Sequence, residues 1–352
     1  MRIDQCNSIR DFRLMARRRL PGPIFHYIDG AADDEVTYRR NTEAYELCDL
    51  VPNVLAGVEN IDMSTTVMGQ KLMIPLFCSP TALQRLFHHD GERAVAKAAE
   101  KFGTMFGVSS LGTVSVEEIG SAISTPKLFQ LYFHKDRGLT GSMIERCIAA
   151  NFDVLALTVD TITGGNRERD LRTGFTSPPR LTLESLLSFA VHPRWAVNYV
   201  THEKFALPQL KNYVKEGSNV SVSVGDYFST MLDQSMNWKD AESVRKKWGT
   251  QFCLKGIMSV ADAKRALDIG ATASPMPRVF PSRAREETHE SRGMPCLFLN
   301  TERGFGGKPP QKSGFRRHLA GSEMPKETFF TAISRWRVVS RRALDASGFW
   351  QG

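Results

Sequence analysis

A chain of 352 residues can bury a full core as one barrel or two domains, and no apolar run in it is long enough to span a bilayer. No signal-like core precedes Arg17, Arg18 and Arg19, and the six cysteines are scattered without a CxxC pair, so free thiols, no metal site and a cytoplasmic location are expected, with at most peripheral attachment to the inner face of the membrane. The net charge of +8 divides unevenly: residues 1–273 hold 32 Lys and Arg against 31 Asp and Glu, residues 274–352 hold 14 against 7, and no specific nucleic-acid partner is expected of the body.

In chain order, Asn7 or Ser8 caps a helix that runs through Arg19 and stops at Leu20-Pro21-Gly22. The stretch 25–41 (FHYIDGAADDEVTYRRN) reads as a polar segment folded over something else, with Tyr27 its notable residue. A first buried strand is predicted at 74–79 (IPLFCS), a helix at 92–102, a second strand at 105–109 and a short helix at 116–123. Strands at 127–132 and 154–160 follow, separated by about 20 residues of helix. The first ends in Gln130 and Tyr132, two apart and so on one face, and the second ends in Thr158 and Asp160. Regular alternation of strand and helix implies right-handed βαβ units in a parallel sheet, and barrels of that kind carry their chemistry at the C-terminal strand ends. Arg167 follows in a glycine-bearing loop and adds a fixed cation to the same mouth.

After Asp170 the rhythm breaks for about eighty residues, of which 181–200 is amphipathic with Trp195 and Tyr199. Such a connection reads as a lid, a docking surface, a membrane-contact loop or an ordinary helical excursion. A fifth strand closes at Lys255-Gly256-Ile257, and 259–269 is a helix stopped by Gly270. The last 79 residues hold eight Ile, Leu or Val, too few for three more buried strands with their helices. One strand at 294–300 and one helix at 328–344 are all they offer. The fold expected is α/β: a TIM-type β/α barrel, incomplete, with about five recognisable βα units and an aberrant tail. The division is a barrel over 1–273 and a basic, aliphatic-poor tail over 274–352.

Five motifs in register name a family: SPTALQRLFHHDGERAVAKAAEKFG (79–103), FQLYFHKDRG (129–138), LALTVD (155–160), GNRERD (165–170) and CLKGI (253–257). Together with the 25–41 stretch they resemble the FMN-dependent 2-hydroxy acid dehydrogenases and oxidases, most strongly the L-lactate dehydrogenase members. The resemblance runs from about Asp11 to Ala273 and implies an eight-stranded barrel with FMN at its C-terminal mouth. It implies that Pro80, Thr81 and Ala82 lay a backbone turn against the flavin ring, that Ser109, Gln130 and Thr158 contact the flavin, and that Lys255 stands beside N1 and O2. Tyr27, Tyr132 and Arg167 match substrate-binding positions.

The implied reaction is hydride transfer from a small, lactate-like L-2-hydroxy acid to flavin N5, giving the 2-keto acid, with electrons passed on to a quinone, cytochrome or oxygen. A fixed lysine would stabilise the charge developing near N1, and an arginine fork would hold the carboxylate so that one face of the α-carbon meets N5. A homo-oligomer is implied as well.

The family's catalytic base is a histidine in an S-N-H-G-G-R stretch after the sixth strand, and glycine-rich turns after the seventh and eighth hold the FMN phosphate. Neither occurs in this sequence, so no catalytic base is assigned and activity of this chain is not expected to be high. His289 has the H-x-x-R spacing but falls about ten residues late, and the 304–308 turn is followed by Pro309-Pro310, which blocks a helix start. A tail replaced by a reading-frame change or rearrangement would account for the shift in composition and charge. The coding DNA tests this through an alternative frame after Ala273. Two other readings stay open: a degenerate, non-catalytic barrel whose basic tail binds an acidic partner, and another FMN-barrel enzyme.

Overall fold

A computed structural model describes residues 2–272, apart from 48, 50, 52–53, 56, 162–163, 176–179 and 212–229. The expected strand at 294–300, the helix at 328–344, His289 and the 304–308 turn lie outside the described residues.

The N-terminal segment is helical. Ser8 caps helix α1 (Ile9–Arg19) by accepting from Asp11 N, and Pro21 leads straight into α2 (Gly22–Asp29). A third helix, α3 (Val36–Glu46), completes the segment. The 25–41 stretch is thus two helices joined by a short turn. It does fold over the sheet, because Ile24 and Phe25 are buried in the main core.

Four strands form one parallel sheet in the order β3 (Phe106–Ser109), β4 (Lys127–Leu131), β5 (Val154–Thr158), β6 (Gln251–Lys255). Helices α4 (Glu92–Lys101), α5 (Val116–Ala122) and α6 (Arg137–Ala149) precede β3, β4 and β5 in turn. Every side chain of β3, β4 and β5 is buried. Alternation sorts them: Phe106, Val108, Phe129, Leu131, Leu155, Leu157, Phe252 and Leu254 face the helices in one large core. Leu128, Val154, Ala156 and Cys253 face the other way, onto a second cluster. That inner layer is closed from below by a hairpin, β1 (Thr65–Val67) and β2 (Gln70–Leu72), through Val67, Met68 and Leu72. The sequence reading contained no such hairpin.

The predicted first strand is corrected. Residues 74–79 make a single parallel bridge, Cys78 to Phe106, with Cys78 N donating to Met105 O at 3.0 Å and Gly107 N to Cys78 O at 2.8 Å. Pro75 removes a donor from this segment, Pro80 follows directly after it, and Leu76 is 69% exposed, so it lies along the edge of β3 without forming a ladder.

The long excursion after β5 contains α7 (Glu168–Thr173), α8 (Leu183–Ala190) and α9 (Pro193–Thr201), the last two broken apart at His192-Pro193. A further helix, α10 (Trp238–Trp248), had not been foreseen; Asn237 caps it and Gly249, at φ +83°, ends it. After β6 comes the expected helix, α11 (Val260–Asp268), capped by Ser259. Thr272 then touches the outer edge of β6, its N donating to Phe252 O at 2.8 Å and its hydroxyl accepting from Phe252 N at 3.0 Å. The described cysteines Cys6, Cys78, Cys147 and Cys253 are free thiols. No helix among the described residues is long and apolar enough to cross a membrane.

Candidate active site at the strand ends

The inward parity that builds the second core layer continues upward into polar residues. Ser109, Gln130, Thr158 and Lys255 are the last inward-facing positions of β3, β4, β5 and β6. Register makes Ser109 the partner of Gln130, and Thr158 the partner of Lys255. Gln130 Nε2 donates to Thr158 Oγ1 at 2.7 Å, and Ser109 Oγ donates to Gln130 Oε1 at 3.2 Å. These three side chains are buried, yet the pairing leaves the second Gln130 amide proton and the Thr158 hydroxyl proton to donate elsewhere. Ser110, next along, has a buried hydroxyl with no partner. Buried polar groups in that state call for a ligand or water to complete them.

Lys255 is 44% exposed and stands 4.0 Å from Asp160, the residue two beyond the end of β5. Gly256 makes the approach possible: at φ +112°, a Cβ there would fall 2.4 Å from Asp160 Cγ. On the far side, Pro80 lies flat on β3, because a Cβ at Gly107 would meet Pro80 Cδ at 2.8 Å. Thr81 is exposed and Ala82 half-buried against the main core, so this turn rims the same end of the sheet.

The substrate-binding candidates meet nearby. Tyr27, on α2, stacks on Phe87 with ring centroids 6.2 Å apart and tilts against Phe175 at 5.5 Å. Arg167 lies over the Tyr27 ring, its Cζ 5.2 Å from the centroid. Arg167 does not stand free: its Nε donates to Asp170 Oδ2 at 2.6 Å and its Nη2 to the Tyr27 carbonyl. Burial pushes the Tyr27 hydroxyl well above its usual range, against the pull of Arg167. Burial, with the Asp160 charge, pushes Tyr132 up to about 12. Both phenols therefore keep their protons at neutral pH and act as donors. The same electrostatics link Tyr27 to Tyr132 and Tyr132 to Asp160, which joins this group to Lys255.

Sequence reasoning assigned no part to Asp170, which holds Arg167, or to Ser110. Asp170 carried a usable signal in its i+3 spacing from Arg167; Ser110 carried none. Asp160 was noted at a strand end without a role.

Residues 16–273 match the FMN-dependent dehydrogenase family. The chain belongs to that family. Among its relatives, the L-lactate dehydrogenase of Xanthobacter autotrophicus is 36% identical over 266 residues, 75% of this chain and 68% of that protein. Glycolate oxidase 1 of Oryza sativa subsp. indica is 33% identical over 269 residues, 76% of this chain and 67% of that one. The solved monotopic membrane protein (S)-mandelate dehydrogenase superposes with a TM-score of 0.70 at 27% identity, covering 77% of this chain and 72% of its own. The match spans about two thirds of the curated relatives, 64% of one and 70% of another. The fold is therefore a β/α barrel of the FMN-dependent dehydrogenase type, and FMN is the cofactor of the family. The donor set fits the polar edge of a flavin ring: an amide, two hydroxyls and a cation in one row, with unspent protons facing the mouth.

Proposed function

We propose that this chain holds FMN across the ends of β3 to β6 and takes a small L-2-hydroxy acid of the lactate type, with oxidation to the 2-keto acid as the reaction its site is shaped for. The row Ser109, Gln130, Thr158 and Lys255 carries this reading, since it sets four polar groups side by side at the ends of adjacent strands. When bound, FMN supplies the hydride acceptor. Gln130 and Thr158 donate to the ring's polar edge, and Lys255 keeps a positive charge beside it. Arg167, seated by Asp170 and the Tyr27 carbonyl, presents its remaining N–H groups to the substrate carboxylate. Tyr27 and Tyr132 donate to its oxygens, and the aromatic wall of Phe87 and Phe175 excludes water from Tyr27.

The base is the missing part. No histidine in the 274–352 tail falls in the family's pattern, so binding is retained here while turnover is slow or nil. The family match stops at residue 273, which supports dividing the chain into a barrel part and a separate tail. Attachment to a membrane surface, on its cytoplasmic side, is part of the same proposal: Leu183 and Leu187 on α8, Val191 just after it and Val200 on α9 are exposed apolar side chains. The electron acceptor would then be reached at that surface.

The purified full chain, titrated with FMN and then given L-lactate without oxygen, tests this. Flavin binding with little or no bleaching is expected. Rapid bleaching would mean that a base is present after all, and no binding at saturating FMN would remove the site.

A further inference from the structure

Beside the Tyr27 pocket, the turn between Phe87 and Gly91 brings two imidazoles and a carboxylate together outside the site described above. His88, His89 and Asp90 each offer one ligand atom, and these atoms all lie within 4.8 Å of one another. His88 Nδ1 is 3.7 Å from Asp90 Oδ2, and His89 Nε2 is 3.7 Å from Asp90 Oδ1. Those separations are too long for hydrogen bonds. They are close to the spacing of two ligands on one tetrahedral zinc, about 3.4 Å for bonds of about 2.0–2.2 Å.

Two contacts of the rings bear on this arrangement. His88 Nδ1 accepts a long 3.2 Å bond from Asp90 N, which an ion at that atom would displace. His202, just beyond α9, stacks on His89 with ring centroids 4.0 Å apart and commits Nδ1 to Asn198 O at 2.8 Å, which covers one face of the His89 ring.

The turn is also held rigid from behind. Gly91 sits at φ +49°, where a Cβ would meet Arg85 Cγ at 2.4 Å. The adjoining Glu92 is fully buried and accepts from Thr113 N at 2.8 Å and Thr113 Oγ1 at 2.6 Å. Ligands fixed by their supporting shell lose little entropy on binding.

We propose that His88, His89 and Asp90 form a binding site for a divalent transition ion of the zinc class, with water completing the coordination. Two imidazoles and one carboxylate are the donor set such an ion accepts. Bound there, it would lock the turn whose first residue, Phe87, stacks on Tyr27, and so stiffen one wall of the pocket. The site needs no flavin, so it stands or falls separately from the function proposed above.

Isothermal titration of the full, untagged chain with Zn²⁺, and visible difference spectra with Co²⁺, test it. One ion per chain is expected, with tetrahedral cobalt bands. His89→Ala and Asp90→Asn should each weaken binding at least about tenfold, since even outer-shell losses reach that size. Thermal melts without metal check that both variants fold, and Asp90→Asn, in an exposed turn, serves if His89→Ala does not. Binding that persists in the folded variants would place the ion elsewhere, for instance on His289, Cys296 or His318 of the tail, and would overturn the proposal. So would the absence of stoichiometric binding.

Discussion

Gln130 Nε2 donates to Thr158 Oγ1 at 2.7 Å across two adjacent parallel strands, with both side chains buried. This contact fixes the amide so that its other proton faces the mouth. Replacing Thr158 by Val keeps the shape and removes the acceptor, leaving a buried N–H unpaired. FMN affinity should fall by about 1–3 kcal/mol, roughly 5- to 150-fold, read by quenching of flavin fluorescence on titration. An unchanged dissociation constant would remove this pair from the cofactor site.

Arg167 is braced by Asp170 and by the Tyr27 carbonyl, a geometry that only a planar fork satisfies. Arg167→Lys keeps the charge and loses the fork. L-lactate binding, followed by its perturbation of the bound flavin spectrum, should weaken by about 1.5–3 kcal/mol. FMN affinity itself should hardly change, and an equal loss of both would mean that the substitution had disturbed the barrel.

Gly256 admits the close approach of Asp160 to Lys255. Gly256→Ala introduces both an unfavourable φ and a clash with the Asp160 carboxylate, so Lys255 must move. Loss of FMN binding is expected with the far-UV spectrum preserved. Retained affinity would show that the lysine's position is not critical.

Glu92 is buried and spans Thr113 N and Oγ1. Glu92→Ala leaves both donors without an acceptor and should lower stability by about 1–3 kcal/mol for each group, measured by urea unfolding. A shift near zero would mean that water replaces the carboxylate.

Asp233 joins the segment after 230 to the end of β4, with its N donating to Phe133 O at 3.0 Å. Hydrogen bonds from Ser235 Oγ and N, and from Arg137, hold its carboxyl down at about 2. The unfolded value is about 3.9. Because the folded value is the lower one, its stabilisation is complete above about pH 4 and fades as the pH falls toward 2. Asp233→Asn should flatten that part of the curve of stability against pH. A mutant curve parallel to the wild type throughout would contradict the assignment.

The inner sheet was legible because β5 is an unbroken apolar run and β4 and β6 have apolar centres, but parity within a strand aligned only Gln130 with Tyr132; Thr158 and Lys255 were placed beside Gln130 by the family resemblance. The 74–79 strand failed because Pro75 removes a donor within it and Pro80 stops it, a local chemistry that outweighs its apolar pattern. The hairpin β1–β2 was too short to show a period, and its turn depends on Met68 and Gly69 at positive φ. Helix α10 was hidden by a polar composition, with its capping signals Asn237 and Gly249 in plain view. At the site, residue types were readable but partners were not: that Arg167 is seated by a backbone carbonyl 140 positions earlier is a fact of tertiary packing.

Arg169 makes the same long return, with Nη1 donating to Asp29 Oδ2 at 3.1 Å. Two guanidinium groups, a single residue apart in sequence, are thus moored to one short stretch near the start of the chain. Losing those anchors would loosen both at once, with only Asp170 left to hold Arg167. The damage from a shortened N-terminus should accordingly surface first as lost grip on a carboxylate, long before any loss of secondary structure.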